Sequence, residues 1–414
     1  MIKRLFKSTF LFALIGFLSC GNTNSKPKNA EVLPQQKNEE TVRPLEEIIV
    51  GANRTENYLP LLKNKSVGII GNQSSLIKKE DGNYTHLVDS LKSSGINIKK
   101  VFAPEHGFRG DADAGEAVQD GKDPKTGLPV ISLYGNNKKP SAEQLEGIDI
   151  LIFDLQDVGT RFYTYISSLH YIMEAAAENN IDVLVFDRPN PNGNYIDGPV
   201  LEPQHQSFVS MHPIPVVHGM TMGEYAKMIN GEGWLKNGKK VNLTVTEMEN
   251  YDHSKPYSLP VKPSPNLPND QAIKLYPSLC FFEGTNINAG RGTHKQFQVY
   301  GSPYLDKDIY DFIYTPQSMP GAKSPKHLGK TCYGEDLSKA NVPEKINLEW
   351  LIEAYQNTAD KTEFFNSFFT KLAGTKKLQQ QIESGLSAEE IRESWKVGLE
   401  NFRRTREQYL IYKP

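Results

Sequence analysis

The sequence predicts an α/β fold: a Rossmann-like parallel-sheet domain followed by a smaller mixed α/β C-terminal domain. Three observations carry the prediction. Short β-rich runs alternate with helical patterns from about residue 46 to 255, the order of a parallel sheet with helices on its faces. The runs are almost continuously apolar, as strands buried on both faces must be. Each run turns polar only at its C-terminal end, where open parallel sheets place their ligands.

Taken in order, "SVGIIGNQ" (66–73) is the first strand and reaches Asn72 and Gln73. "THLVDSLKSSG" (85–95) has helical spacing and stops at Gly95. "IKKVFAPEHG" (98–107) is the second strand and ends on Glu105 and His106. "LPVISLYG" (128–135) is the third. "IDILIFDLQDVGTRFYTY" (148–165) is the strongest; its end carries Asp154, Gln156, Asp157 and Arg161. A helix over about 166–179 follows, then a strand in "IDVLVFDRPNPNG" (181–193), ending on Asp187, Arg188 and Asn190. "IPVVHGMTMGEYAKMI" predicts a strand, a turn and a helix starting near Thr221, with Thr221 and Glu224 as a capping box. "VNLTVTEMENY" adds a further strand. Prolines 256, 260, 263, 265 and 268 mark a boundary, which gives an N-terminal domain over 46–264 and a C-terminal domain over 265–414. The last helix starts at Ser387, with Glu390 completing a capping box and Ile391, Trp395, Leu399 and Phe402 at helical spacing.

The N-terminus stands apart. Lys3, Arg4 and Lys7 precede an apolar run over 10–18 that is too short to span a bilayer. "FLSCG" then resembles a bacterial lipobox, although Phe17 stands where Leu is usual. The expectation is a lipoprotein signal peptide over 1–20, with Cys20 lipidated, and a flexible tether over 21–45 rich in Asn, Lys, Pro and Glu. Membrane attachment would be through that lipid alone. Cys280 and Cys332 make no zinc motif, and the sequence leaves open whether they pair.

Several function classes fall away. Net charge is −2, so there is no electrostatic footprint for nucleic acid. No G-x-G-x-x-G follows the first strand. Gly115 and Gly121-Lys122 miss P-loop spacing, and Asp123 stands in place of Ser/Thr, so no nucleotide cofactor is expected. No G-x-S-x-G occurs. No H-E-x-x-H occurs either; no metal is expected, and the one set that a fold might gather is Glu105, His106, Asp154 and Asp157.

Carboxylates remain. "VFAPEHGFRGDADAGE" (101–116) sets Glu105, Asp111, Asp113 and Glu116 after an apolar strand, more ionisable groups than a turn requires. Glycoside hydrolysis needs one acid to protonate the leaving oxygen and commonly a second carboxylate to activate water or attack carbon. Glu105, behind Phe102, Ala103 and Pro104, suits the acid. Asp154 and Asp157 are first choices for the second group, with Asp187, Glu224 and Glu283 as alternatives. His106, Arg109 and Arg161 are candidates to orient groups or bind acid. Tyr163 is a candidate to stack on a sugar, and Asn190, with Asn192 and Asn194, to meet hydroxyls. Arg291 offers a bidentate partner for a substrate carboxylate.

At these residues a resemblance emerges. "FAPEHGFRGDADAGE", "FDLQDVGTRFYTY", "FDRPNPNG" and "EGTNINAGRGT" together resemble the exo-β-N-acetylmuramidases, over about residues 50–414 and in the same order. The resemblance implies a cleft between a Rossmann-like domain and a smaller one. It implies release of terminal N-acetylmuramic acid from the non-reducing end of peptidoglycan-derived glycans such as muropeptides, without a cofactor. Glu105 matches the expected acid. Arg109, Arg161 and Arg291 are the candidates for the lactyl carboxylate, and His218, Glu283 and Asn288 join the expected binding set. With the lipobox, the expectation is a lipid-anchored protein of a Gram-negative envelope, facing the periplasm or the outer surface. Two other readings stay open: a non-catalytic muropeptide-binding lipoprotein, and a metal-assisted amide or ester hydrolase.

Overall fold

A computed structural model describes residues 46–109 and 120–414. The signal peptide, Cys20, the tether, and Asp111, Asp113 and Glu116 lie outside the described residues. The first part of the chain runs α1 (Thr55–Leu62), β1 (Ser66–Gly71), β2 (Leu76–Lys78), β3 (Tyr84–His86), α2 (Leu87–Ser93), β4 (Asn97–Ala103), β5 (Gly121–Lys122), β6 (Pro129–Ser132) and α3 (Ala142–Leu145). It continues with β7 (Ile150–Asp154), α4 (Tyr165–Asn179), β8 (Asp182–Phe186), α5 (Met222–Gly231) and β9 (Leu243–Thr246). After α6 (Asp270–Leu279) come β10 (Val299–Ser302), β11 (Phe312–Tyr314) and β12 (Cys332–Asp336). Then follow α7 (Glu349–Gln356), α8 (Ser367–Ala373), α9 (Lys377–Glu383), α10 (Ala388–Glu393) and α11 (Lys396–Glu407).

The main sheet has the order β5-β6-β4-β1-β7-β8-β9. All neighbours are parallel except β5, which runs antiparallel on β6. Counting the parallel strands alone in chain order, the sheet reads third, second, first, fourth, fifth, sixth. That is the doubly wound dinucleotide-fold order, with its switch point between β1 and β7. Successive side chains of a strand point to opposite faces, and both faces are filled. Ile150, Ile152, Leu184 and Phe186 join one core with α1 and α2. Leu151, Phe153, Val183 and Val185 join the other with α4 and α5. This double burial is why the strands read as unbroken apolar runs.

The C-terminal part adds a three-stranded antiparallel sheet, β10-β12-β11, and helices α7 to α11. The larger hydrophobic core runs on from the main sheet into these helices. Both anticipated capping boxes are present, Thr221 with Glu224 and Ser387 with Glu390. Cys280 and Cys332 are free, buried thiols.

Two expectations change. Residues 214–217 form no strand of a named sheet; Val217 makes only isolated bridges to Thr160 and Asp197. The carbonyls of Ile214 and Val216 are instead taken by Arg161. The last helix is two helices. Around Ser394 and Trp395 the backbone bonds tighten to the third residue back, which interrupts the α pattern, while the apolar stripe stays buried.

Arg161 ties these parts together. Its guanidinium is completely buried and meets no carboxylate. It donates to the carbonyls of Pro199 (2.8 Å), Ile214 (2.6 Å), Leu372 (3.0 Å) and Ala373 (2.7 Å) and to Ser210 Oγ (3.1 Å). Leu372 and Ala373 end α8, so a cation serves carbonyls that the helix leaves unpaired. Burial pushes the group down to about 9, which leaves it protonated at neutral pH. Arg161→Ala strands these acceptors in the interior and is expected to cost about 3–5 kcal/mol. Urea unfolding measures this, and a loss below about 1 kcal/mol would mean the acceptors find other partners.

Candidate active site

Glu105 and His106, beyond the carboxyl end of β4, and residues 162–165, at the start of α4, form one side of a cleft of about 170 Å³. At β4, Glu105 and His106 follow Pro104 in a tight turn closed by Gly107 N–H to the Pro104 carbonyl, 3.1 Å. His106 takes a positive φ of 73°, a conformation rare for a residue with a Cβ. At α4, Tyr163, Thr164 and Tyr165 face the cleft. Thr164 stands at the N-cap but makes no side-chain cap; its hydroxyl donates to Glu105 Oε2, 3.1 Å. The cleft therefore meets the positive end of a fifteen-residue helix. Asn72, at the end of β1, donates to Tyr165 Oη, 2.7 Å, and Tyr163 Oη donates to the Pro263 carbonyl, 2.9 Å.

The other side comes from beyond residue 263. Glu283 sits in the 3-10 turn Cys280–Gly284, and Arg291 follows in the same loop, its Nη1 3.7 Å from Glu283 Oε2. Lys326 holds this loop. Its half-buried ammonium donates to the carbonyls of Phe282 (2.9 Å), Ile287 (2.8 Å) and Thr285, and desolvation lowers it to about 8. Asn288 does not line the cleft; it donates to the carbonyls of Arg291 (3.1 Å) and Lys326 (2.8 Å). Tyr276, Phe297, Phe368 and Leu372 give apolar walls.

Five of the anticipated residues thus meet in one cleft: Glu105, His106, Tyr163, Glu283 and Arg291. The others lie elsewhere. Asp154 is fully buried and bound to Arg188 through both oxygens, at 2.6 and 3.0 Å; burial raises its pKa and Arg188 opposes that. Asp187 accepts from Thr221 Oγ1 (2.7 Å), Gly223 N (2.8 Å) and Tyr412 Oη (2.9 Å). Asn190 donates to the Met220 carbonyl, 2.9 Å. It also packs so closely on Gly159 that a Cβ there would lie 2.2 Å from Asn190 Oδ1; Gly159 has a φ of +77° and cannot be replaced cheaply. Arg109 grips Asp123, at 2.8 and 3.1 Å, and reaches Asp89 at 3.4 Å. Arg161 is spent on the carbonyls described above. Among the described residues, no three of His, Cys, Asp and Glu gather as metal ligands.

Asn266 is a wall residue that sequence reasoning missed. Its Nδ2 donates to the Gly321 carbonyl, 2.8 Å, while Oδ1 is buried without a protein partner. The only signal was its place inside the proline-rich "SPNLP", which reads as a linker.

Asp157 and His218 form a buried pair behind the cleft. Asp157 Oδ2 accepts from Gly159 N, 2.6 Å, and Oδ1 has no partner. His218 Nδ1 accepts from Met220 N, 3.3 Å, so the imidazole proton sits on Nε2, 3.7 Å from Asp157 Oδ2. Burial raises Asp157 to about 7 and lowers His218 to about 3. Asp157 ionises at about pH 3.9 when unfolded, so the unfolded chain releases this proton first. The stability that Asp157 contributes below about pH 4 is lost as pH rises through about 7. Asp157→Asn stays neutral and should flatten part of that decline; denaturant midpoints across this range check it, and an unchanged slope would refute it.

Residues 67–271 match the N-terminal domain, and 274–412 the C-terminal domain, of exo-β-N-acetylmuramidase NamZ. The chain is 38% identical to the peptidoglycan β-N-acetylmuramidase NamZ of Bacillus subtilis, over 98% of this chain and all of the relative. Two crystal structures of DUF1343-family proteins from Bacteroides fragilis are similar. One has a TM-score of 0.81 at 46% identity and covers 89% of this chain and 99% of its own. The other has 0.73 at 30%, covering 88% and 99%. Matched along both of its domains, the chain belongs to the exo-β-N-acetylmuramidase NamZ family and is a glycosidase.

Proposed function

We propose that the protein releases N-acetylmuramic acid, one residue at a time, from the non-reducing end of peptidoglycan-derived glycans, with Glu105 as general acid. The observation that carries the reading is the meeting of Glu105, Glu283 and Arg291 in one cleft of a chain aligned along its length with a peptidoglycan muramidase. Glu105 protonates the glycosidic oxygen as it leaves. Glu283 is the second carboxylate, on the opposite wall, acting on water or on the anomeric carbon. It takes the place first expected of Asp154 or Asp157: Asp154 is held by Arg188, and neither lines the cleft.

Specificity follows from the remaining wall. The Arg291–Glu283 contact is too long for a good hydrogen bond, so the guanidinium can take the lactyl carboxylate. Asn266 Oδ1, an acceptor without a protein partner, suits an acetamido N–H. Tyr163 and Tyr276 offer ring surfaces for the sugar. The cleft is smaller than the roughly 300–1,000 Å³ of drug-sized sites, which favours one terminal sugar over the interior of a strand.

Glu105→Gln should lower kcat on a chromogenic β-N-acetylmuraminide by about 10³-fold, and Glu283→Gln by about 10²-fold or more. Neither form should cleave the matching β-N-acetylglucosaminide. Turnover retained in Glu105→Gln, or equal cleavage of the two sugars, would sink the assignment. We place the enzyme in a Gram-negative cell envelope, anchored by lipid on Cys20 and facing the periplasm or the outer surface. No helix among the described residues is long and apolar enough to cross a membrane. Cys20→Ser should move the protein from the membrane pellet to the soluble fraction; if the wild type is already soluble, the anchor is wrong.

A further inference from the structure

Glu105 delivers a proton well only if its carboxyl is held against the glycosidic oxygen. The backbone under it is fixed: the turn after β4 is closed by Gly107 N–H to the Pro104 carbonyl, 3.1 Å, and His106 takes a φ of 73°. That turn still leaves the carboxyl at the end of a flexible side chain with many rotamers. The hydroxyl of Thr164, 59 residues further along the chain, meets it in the cleft and donates to Glu105 Oε2, 3.1 Å.

We propose that Thr164 is a positioning residue for Glu105, which orients its carboxyl and stabilises the carboxylate that proton transfer leaves behind. This rests on the reading of Glu105 as general acid. Thr164 stands at the N-cap of α4, where a threonine hydroxyl ordinarily accepts a backbone N–H of the first turn. It makes no such cap here; the hydroxyl is turned to the cleft instead. Its neighbours hold it in place. Tyr163 and Tyr165 are both buried. Tyr163 Oη donates to the Pro263 carbonyl, 2.9 Å, and Tyr165 Oη accepts from Asn72, 2.7 Å. The Thr164 carbonyl accepts from the N–H groups of Ser167 and Ser168, each at 3.0 Å. A β-branched side chain is stiff at χ1, so the hydroxyl is a fixed post beside a mobile acid.

In the reaction, the O–H bond of the Glu105 carboxyl breaks and its proton bonds to the glycosidic oxygen. The bond from that oxygen to the anomeric carbon breaks, its electron pair stays on the oxygen, and the nucleophile on the Glu283 side takes the carbon. A neutral carboxyl accepts best on its carbonyl oxygen, so the Thr164 bond makes Oε2 that oxygen and puts the transferable proton on Oε1. Once the proton has left, both oxygens share a negative charge. The same hydroxyl then donates to an anion, a stronger bond than to the neutral acid, at the positive end of α4. A bond that strengthens as charge develops lowers the barrier rather than tightening ground-state binding. The effect falls on kcat rather than KM, and only where the leaving group needs a proton.

Two substrates of the full-length protein isolate that step. The disaccharide of N-acetylmuramic acid β-linked to N-acetylglucosamine has a leaving group that must be protonated. Dinitrophenyl β-N-acetylmuraminide releases a stable phenolate that needs no proton. For both, kcat/KM covers the steps up to departure of the leaving group. Thr164→Val removes the hydroxyl at nearly constant shape and takes no cap from α4. It should lower kcat/KM on the disaccharide about 10- to 100-fold, through kcat, with KM within about twofold. Dinitrophenyl release should stay within about threefold of wild type, and Thr164→Ser should restore the disaccharide rate to within about threefold. If Thr164→Val fails to fold, Thr164→Ala takes its place. Equal loss on both substrates marks a structural role and overturns the proposal; so does wild-type cleavage of the disaccharide, or a Thr164→Ser form as slow as Thr164→Val. Glu105→Gln is measured beside them. If it keeps the disaccharide rate, or loses both substrates equally, the general-acid reading falls and the proposal with it. A selective loss in Glu105→Gln without one in Thr164→Val overturns the proposal alone.

Discussion

The wall that α8 gives the cleft depends on how one buried cation is satisfied. Arg161 lies just beyond β7 and spends its donors on four carbonyls and a hydroxyl drawn from 199, 210, 214, 372 and 373. Those acceptors belong to segments far apart in the chain. Because α8 ends on that guanidinium, Phe368 and Leu372 stand where they wall the cleft. Gly374 shows how tight the arrangement is: its φ is +73°, and a Cβ there would lie 2.6 Å from Arg161 Nη2. A lysine could not reproduce this planar fork of donors.

The cleft itself divides labour between rigid supports and groups left available. Asp154 with Arg188, Asn72 with Tyr165, and Lys326 in its ring of carbonyls are all consumed by internal bonds. They set the ends of β7 and β1 and the loop that brings Glu283. Glu283, Arg291 and Asn266 Oδ1 are the less committed groups on the far wall. Burial favours the neutral forms of Asp157 and His218 behind the wall, which keeps charge away from the back of the site.

Much of the sheet was legible because its physics is local. A strand buried on both faces must be apolar throughout, and only its last residues are released to be polar. The same logic brought Glu105 forward, since it follows directly on an apolar strand. It failed to separate Arg161 from Arg291, or Asp154 from Glu283. Each is a charged residue beside an apolar run, and what distinguishes them is a partner supplied from distant sequence. Arg188 claims Asp154 from the next strand. Carbonyls at 372 and 373 claim Arg161 from far along the chain. Asn266 was hidden because proline-rich sequence describes a backbone path and says nothing of what the path passes. The break between α10 and α11 was equally hidden, because its apolar stripe continues unchanged through Trp395.

Among the described residues, the main sheet ends on one side at β5, two exposed residues, Gly121 and Lys122, that run antiparallel to the rest. An unpaired sheet edge is a template on which another molecule can add a strand. Here that template is too short to hold a register and carries a lysine, which repels a second copy of itself. At high local concentration, this edge therefore has little tendency to take on a strand from another copy.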